Sequence, residues 1–241
     1  MKLLVLAGSA EARQIAMDCC ALGAEVRALV SEPPKGPNPM PVPCTLIDIA
    51  QPDAVAAAMA NCDAVLDASH GFDRTMSDLG YTAASALGLP FLIYQRPGWS
   101  AGDAPGAQTA PDVAAAMGVI RQGARVFSAT GWGSLPDCAT FQGEVLFLRQ
   151  TSPHGRPAPY GFVQLCFGTP PFTVQSETGL FKNLEIDTLM CRNLGGAASR
   201  PKVDAAVALG LRVILIDRPA LPKGAPVVDT VDAATAWVSA L

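Results

Sequence analysis

The sequence predicts an α/β chain of two units, each a mainly parallel sheet with helices packed against it. Three observations predict this class. Short apolar runs such as LLVL (3–6), AVLDA (64–68), FLIY (91–94) and VILI (213–216) alternate with stretches of helical period. Glycines follow the helical stretches at Gly23, Gly88 and Gly210, where a left-handed residue commonly ends a helix. The opening pattern of strand, small-residue turn and helix returns at Arg125 in RVFSATGWGS, which sets a boundary near residues 122–124 and units of 1–123 and 124–241.

Taken in order, MKLLVLAGSAEAR begins with a buried strand that meets Gly8 and Ser9, and Ser9 is a plausible N-cap. Ala12, Ile15, Ala16 and Cys19 then repeat at helical spacing. A strand feeding a helix N-terminus suits an anion, because the first amides lack intrahelical partners and the dipole favours negative charge. Gly8, Ala10 and Arg13 do not make the full G-x-G-x-x-G spacing, so a nucleotide phosphate and a plain first strand and helix both remain open. Arg13 lies within one turn of that helix start, able to reach a bound ligand or to pair with a carboxylate.

Residues 25–30 read as a second strand, followed by SEPPKGPNPMPVP, whose six prolines exclude helix and central strand. The end of a second strand is where such folds meet an adenosine ribose, and Ser31, Glu32 and Lys35 give a mixed signal there. A strand at 44–47 and a helix at 52–59 lead to a strand at 64–68, whose carboxyl end carries Asp67, Ser69, His70 and Gly71. His70, one of two histidines, is either a hydrogen-bonded structural group or a ligand-facing one. A helix at 74–87, a strand at 91–94, a loop to Thr109 containing Arg96 and Trp99, and a helix at 112–122 complete the first half.

In the second half, strands are expected at 145–150 and 162–166, flanking the proline-rich TSPHGRPAP with a solvent-exposed His154. A further strand ends at Cys191, and the Gly195–Gly196 turn leads to a helix carrying Arg200 and Lys202, again suited to an anion. A strand at 212–216 and a closing helix at 231–241 follow.

Composition narrows the function classes. The 241 residues carry 17 basic and 21 acidic side chains, a net charge of −4, which argues against a nucleic-acid binder. Seven scattered cysteines without C-x-x-C spacing suggest neither disulfide framework nor metal site, and a reducing cytoplasm is the expected home. Cys19, Cys62 and Cys166 are expected in the core. No signal peptide or membrane-spanning apolar run is evident. The G-x-x-x-x-G-K-[ST] loop and H-E-x-x-H motifs are absent, and no tyrosine has lysine four residues on.

The stretches AGSAEAR (7–13), DASHGF (67–72), YQRPGW (94–99), ATGWGSL (129–135), RNLGGAASRPKVDAA (192–206) and VILIDRPALP (213–222), in this order, resemble the precorrin-6A reductases of cobalamin biosynthesis. The resemblance implies two Rossmann-like domains with a cleft between them, the first for a nicotinamide cofactor (NADPH) and the second for a tetrapyrrole rich in carboxylates. It implies reduction of one ring double bond of precorrin-6A to give precorrin-6B. Carried over by position, Gly8, Ser9 and Ala10 would hold cofactor phosphate, Ser31 and Lys35 would lie by the adenosine ribose, and Ser69 and His70 would line the nicotinamide side. Arg13, Arg96, Trp99, Thr130, Gly131, Arg192, Gly195, Gly196 and Lys202 would meet the substrate. The proton would come from His70 or from water. Hand-over of product to neighbouring pathway enzymes would fit, with no nucleic acid or membrane partner. The chain departs from the family pattern at Ala7–Ser9, where two glycines and a threonine are usual, at Gly71 for proline, and at Arg192 for lysine. Glu32 and prolines stand where a basic residue is common, and TLIDIA replaces a glycine-rich stretch. Reduction of cobalt-precorrin-6A, or a non-catalytic tetrapyrrole- or nucleotide-binding protein, are the alternative readings.

Overall fold

The computed structural model describes residues 1–33, 39–100 and 102–241. Lys35 therefore lies outside the described residues. The chain divides into two compact units, Met1–Arg96 with Pro219–Leu241, and Pro97–Arg218.

The first unit begins with β1 (Lys2–Ala7), α1 (Ala12–Ala21), β2 (Glu25–Val30), β3 (Cys44–Leu46), α2 (Pro52–Ala58), β4 (Ala64–Ala68), α3 (Arg74–Ala86) and β5 (Phe91–Tyr94). Five consecutive residues of β1 are buried because both faces of the sheet are covered, the condition that gives parallel strands continuous apolar runs. Leu3, Val5 and Ala7 share one core cluster with Ile15 of α1, while Leu4 and Leu6 share another with Val55 of α2 and Met76 of α3. Gly80 of α3 is where that second layer is tightest, since a side chain there would meet the Leu6 methyl.

The second unit contains β6 (Gln108–Ala110), α4 (Val113–Met117), β7 (Arg125–Ala129), a 3-10 segment at Trp132–Cys138, β8 (Val145–Gln150), β9 (Val163–Phe167), α5 (Val174–Asn183), β10 (Thr188–Arg192), α6 (Pro201–Ala208) and β11 (Arg212–Ile216). The chain then returns to the first unit with β12 (Val227–Val228) and α7 (Val231–Ser239).

Among the described residues the strands form two six-stranded sheets, ordered β12-β5-β4-β1-β2-β3 and β6-β11-β10-β7-β8-β9. Neighbours pair in parallel throughout: β1 runs beside β2 and β4, with Leu6 opposite Leu29 and Asp67, and β7 beside β8 and β10. The two orders place β1 and β7 inside their sheets, with β2 and β3 or β8 and β9 following on one side and β4 or β10 on the other. The switch points therefore lie between β1 and β4 and between β7 and β10, where such sheets bind ligands beyond the carboxyl ends.

The expected boundary at 123/124 falls inside the second unit. Residues 108–110, expected as loop, form β6 and pair with β11, while β12 pairs with β5. The closing helix α7 belongs to the first unit, because Ala234 and Val238 are buried in the cluster of β1 and α1. The helix expected over 112–122 is shorter, Val113–Met117, opened by Asp112 accepting from the Ala115 amide. α5 was not anticipated. Thr173 and Ser176 start it with reciprocal side-chain caps, a short polar signal inside an otherwise irregular stretch.

Candidate active site

In the first unit, the turns after β1 and β4 meet backbone to backbone. A side chain at Gly8 would start 2.6 Å from the His70 amide nitrogen, so only glycine permits this approach. The Ser9 amide donates to the Ala68 carbonyl at 2.9 Å, fastening the turn to β4. The Ser9 hydroxyl accepts from the Ala12 amide at 3.2 Å within the turn, but the N-cap position of α1 is Glu11, which makes no side-chain cap bond, so Ser9 is not the cap itself. Gly8 and Ala10 are exposed and Ser9 is half-buried, so this turn lies open beside the first amides of α1.

The β4 turn is built on two carboxylates. Asp67, buried at 1% exposure, accepts from the Ser69 amide at 2.9 Å, and the Ser69 hydroxyl lies 3.3 Å from that of Ser77. Burial pushes the Asp67 carboxyl up, hydrogen bonds from Ser77 and Ser69 pull it back, and Asp73 adds to the rise. Asp73 caps α3 by accepting from the Met76 amide at 3.1 Å and also accepts from the Ser31 hydroxyl at the end of β2. Between these anchors His70 is half-buried, with Nδ1 accepting from the Phe72 amide at 3.2 Å. That bond places the proton of the neutral ring on Nε2.

Ser31 and His70 thus sit on turns at the carboxyl edge, as expected, but the Ser69 side chain points into the protein and is buried. Arg13 is exposed and donates from Nε to the Pro39 carbonyl at 3.0 Å, tying α1 to the proline-rich segment. Arg96 pairs with Glu11 at 2.7 Å, with both side chains largely covered. This pair neutralises the carboxylate at the start of α1, the end where the helix dipole favours an anion.

In the second unit, Gly131 and Arg192 meet at the switch point. Gly131 has φ +85°, and its missing side chain would start 3.6–3.8 Å from the Arg192 guanidinium. Gly195 and Gly196 are both left-handed, at φ +64° and +69°. A side chain at Gly195 would lie 1.9 Å from the Pro97 carbonyl, so this turn closes onto the start of the unit. Asn193 completes the closure. Its amide group accepts from the Trp99 amide at 2.7 Å and donates to the Trp99 carbonyl at 3.1 Å, while Arg218 donates to the Asn193 and Leu194 carbonyls.

Three expected substrate contacts are corrected by this packing. The Trp99 indole is buried in the core cluster of β7, β8 and β10 instead of facing a ligand. The Thr130 hydroxyl is fully buried in a chain with Ser128 and Ser134, at 2.8 and 2.6 Å. Lys202 turns inward and donates to the Ser199 carbonyl at 2.7 Å. Burial lowers its pKa, partly offset by Cys191 and Glu177.

Beneath Lys202 lies a buried ion pair that the sequence reading missed. Arg149 donates to both oxygens of Glu177 at 2.9 and 3.0 Å, with 9% and 3% of their side chains exposed. Its guanidinium stacks 4.9 Å from the Phe127 ring centre and 4.1 Å from that of Phe172. Burial pushes the Glu177 carboxyl up, opposed by Arg149 and Lys202. Arg149 falls on the same face of β8 as Val145 and Phe147, a signal that could have placed it inward. Cys19 and Cys62 are buried as expected and Cys166 is half-buried. Burial pushes the thiols of Cys19, Cys138 and Cys191 up to about 11, leaving them protonated at neutral pH.

The comparisons agree with this architecture along the whole chain. A precorrin-6A reductase of Mycobacterium tuberculosis (strain CDC 1551 / Oshkosh) is 34% identical over 245 residues, covering 100% of this chain and 98% of the relative. One of Rhodobacter capsulatus is 32% identical over 231 residues, covering 92% and 89%. A solved structure, CobK precorrin-6A reductase, superposes with a TM-score of 0.88 at 31% identity, covering 100% of this chain and 96% of that one. The family model for precorrin-6x reductase CbiJ/CobK matches residues 2–239, and the chain belongs to that family.

Proposed function

We propose that this chain reduces one ring carbon–carbon double bond of precorrin-6A, with NADPH as the hydride source, in the making of the corrin ring. The observation that carries this reading is the full-length similarity to precorrin-6A reductase, 34% identical across every residue of the chain. Both switch points supply what the reaction needs, a phosphate-suited turn in one unit and a basic glycine turn in the other.

When bound, the nicotinamide supplies the hydride. The donor set fits such a cofactor: the turn of Gly8, Ser9 and Ala10 precedes the first amides of α1, and Arg96 has already neutralised Glu11. Ser31, held by Asp73, stands where a ribose hydroxyl is read. His70, with its proton on Nε2, is the chain's candidate for supplying the proton that accompanies the hydride. Arg192, beside Gly131, and the Gly195–Gly196 turn offer charge and amides to substrate carboxylates, while Arg13 offers a further exposed cation. Lys202, Thr130 and Trp99 act from beneath by holding these turns in place. The seven free cysteines suit a reducing cytoplasm.

The test is turnover. Purified protein is expected to oxidise NADPH only when precorrin-6A is present, with a matching change in the tetrapyrrole spectrum and a lower kcat/KM with NADH. No turnover with either nicotinamide would overturn the reading. A His70→Asn variant with an unchanged pH–rate profile would assign the proton to water instead.

A further inference from the structure

Three aromatic side chains of the second unit stand together at the carboxyl ends of adjacent strands. Trp132 follows Gly131 after β7, His154 follows β8, and Phe167 ends β9. The His154 ring meets the Trp132 ring edge-on, with centres 4.9 Å apart at 86°, and the Phe167 ring at 5.5 Å and 73°. The Arg156 guanidinium lies 6.0 Å from the Trp132 ring centre. Arg192, on the next strand, flanks Gly131 on the other side.

His154, expected to be solvent-exposed, is half-buried and held at both nitrogens. Nδ1 accepts from the Arg156 amide at 3.2 Å, and Nε2 lies 3.2 Å from the Gln150 side-chain oxygen. The Gln150 amide nitrogen is committed to the Arg149 carbonyl at 2.9 Å, so its oxygen faces His154 and the imidazole proton sits on Nε2. The imidazole is therefore oriented as a rigid spacer between two larger rings. Yet the row is not sealed into the core: Phe167 remains 47% exposed. A fixed but open aromatic row, with cations at its rim, is the makeup of a binding surface more than of a core.

We infer that Trp132, His154 and Phe167 form a ledge that supports the flat, conjugated face of a carboxylate-rich tetrapyrrole, with Arg156 and Arg192 at its rim. The inference rests on the proposed function and adds the surface that would orient the macrocycle. Three adjacent parallel strands set their ends across about 10 Å, a width on the scale of one macrocycle. Aromatic rings gain from stacking on an extended π system, and guanidinium groups pair with the carboxylates around its edge.

The probe is uroporphyrin III, a stable octacarboxylate porphyrin, titrated into the full chain and followed by tryptophan quenching and its own visible absorption. Precorrin-6A turnover is measured in parallel. Trp132→Leu and Phe167→Leu are each expected to weaken uroporphyrin binding by about 5- to 100-fold, the scale of a lost stacking contact. KM for precorrin-6A should rise more than kcat falls, NADPH affinity should be unchanged, and Trp132→Phe should recover most of the loss. If Trp132→Leu does not fold, Phe167→Leu, on a half-exposed ring, carries the same test. Wild-type turnover with unchanged porphyrin affinity and KM in the leucine variants would overturn the ledge and leave the function standing. A shift in NADPH affinity instead would assign the row to the cofactor and also overturn it. Wild-type protein that neither binds uroporphyrin nor turns over precorrin-6A would overturn both.

Discussion

Gly8→Ala is the sharpest perturbation of the cofactor turn. The added carbon would start 2.6 Å from the His70 amide nitrogen and 3.3 Å from the Ser69 carbonyl carbon. Ordinary contact begins at 3.4 Å, so the backbones must part by 3.4 − 2.6 = 0.8 Å at the first contact. Neither neighbour is the free end of a side chain. Ser9 is fastened to Ala68 and Ser69 to Asp67, so the displacement passes into both turns of the switch point. Overpacking of this kind costs about 1–3 kcal/mol of stability. A shift near 1 Å in a positioning element can cost about 100-fold in a positioned interaction. The expected outcome is a clear fall in melting temperature and a loss of NADPH affinity of about 10- to 100-fold, measured by nicotinamide fluorescence titration. Unchanged NADPH affinity in a destabilised Gly8→Ala protein would show that the close approach serves the fold alone, and the phosphate assignment of the turn would fail.

Two further outcomes test the buried charges. Glu177→Gln leaves the Arg149 guanidinium uncompensated between two rings and should cost about 3–5 kcal/mol in urea unfolding, while Arg149→Met with Glu177→Leu should recover most of it; additive losses would refute a coupled pair. Asp67 has a folded-state pKa raised by burial, so its contribution is full below the unfolded carboxylate value and is lost as pH rises through the folded one. Asp67→Asn, which keeps the acceptor for Ser69, should therefore gain on wild type from acidic to neutral pH, read as melting temperature against pH; parallel curves would refute the assignment.

How much of this was legible in the sequence depended on element length. β1, β2, β4, β5 and β11 were readable because strands buried on both faces leave unbroken apolar runs. β6 and β12 were not, since QTA and VV are too short to carry a period and gain their structure from the edges of β11 and β5. Those two short pairings decide the division of the chain, which is why a boundary drawn from the repeat at Arg125 missed it. At the sites, small-residue turns announced themselves through composition. Direction did not: Trp99, Thr130 and Lys202 stand in motifs beside ligand-suited turns, but their side chains support those turns from the protein side. An arginine inside a strand, such as Arg149, reads as an edge or surface residue until its distant carboxylate on α5 is known.

The return of residues 219–241 to the first unit has a consequence for how the protein is made. During synthesis, all of the second unit leaves the ribosome before β12 and α7 exist. Until they arrive, β5 presents an unpaired strand edge, and the apolar patch that Ala234 and Val238 will cover is open. The later-made unit can thus close before the earlier one, against the usual order of emergence. The first unit waits through this interval with its edge exposed, so chaperone demand and sensitivity to truncation belong to the unit that begins the chain.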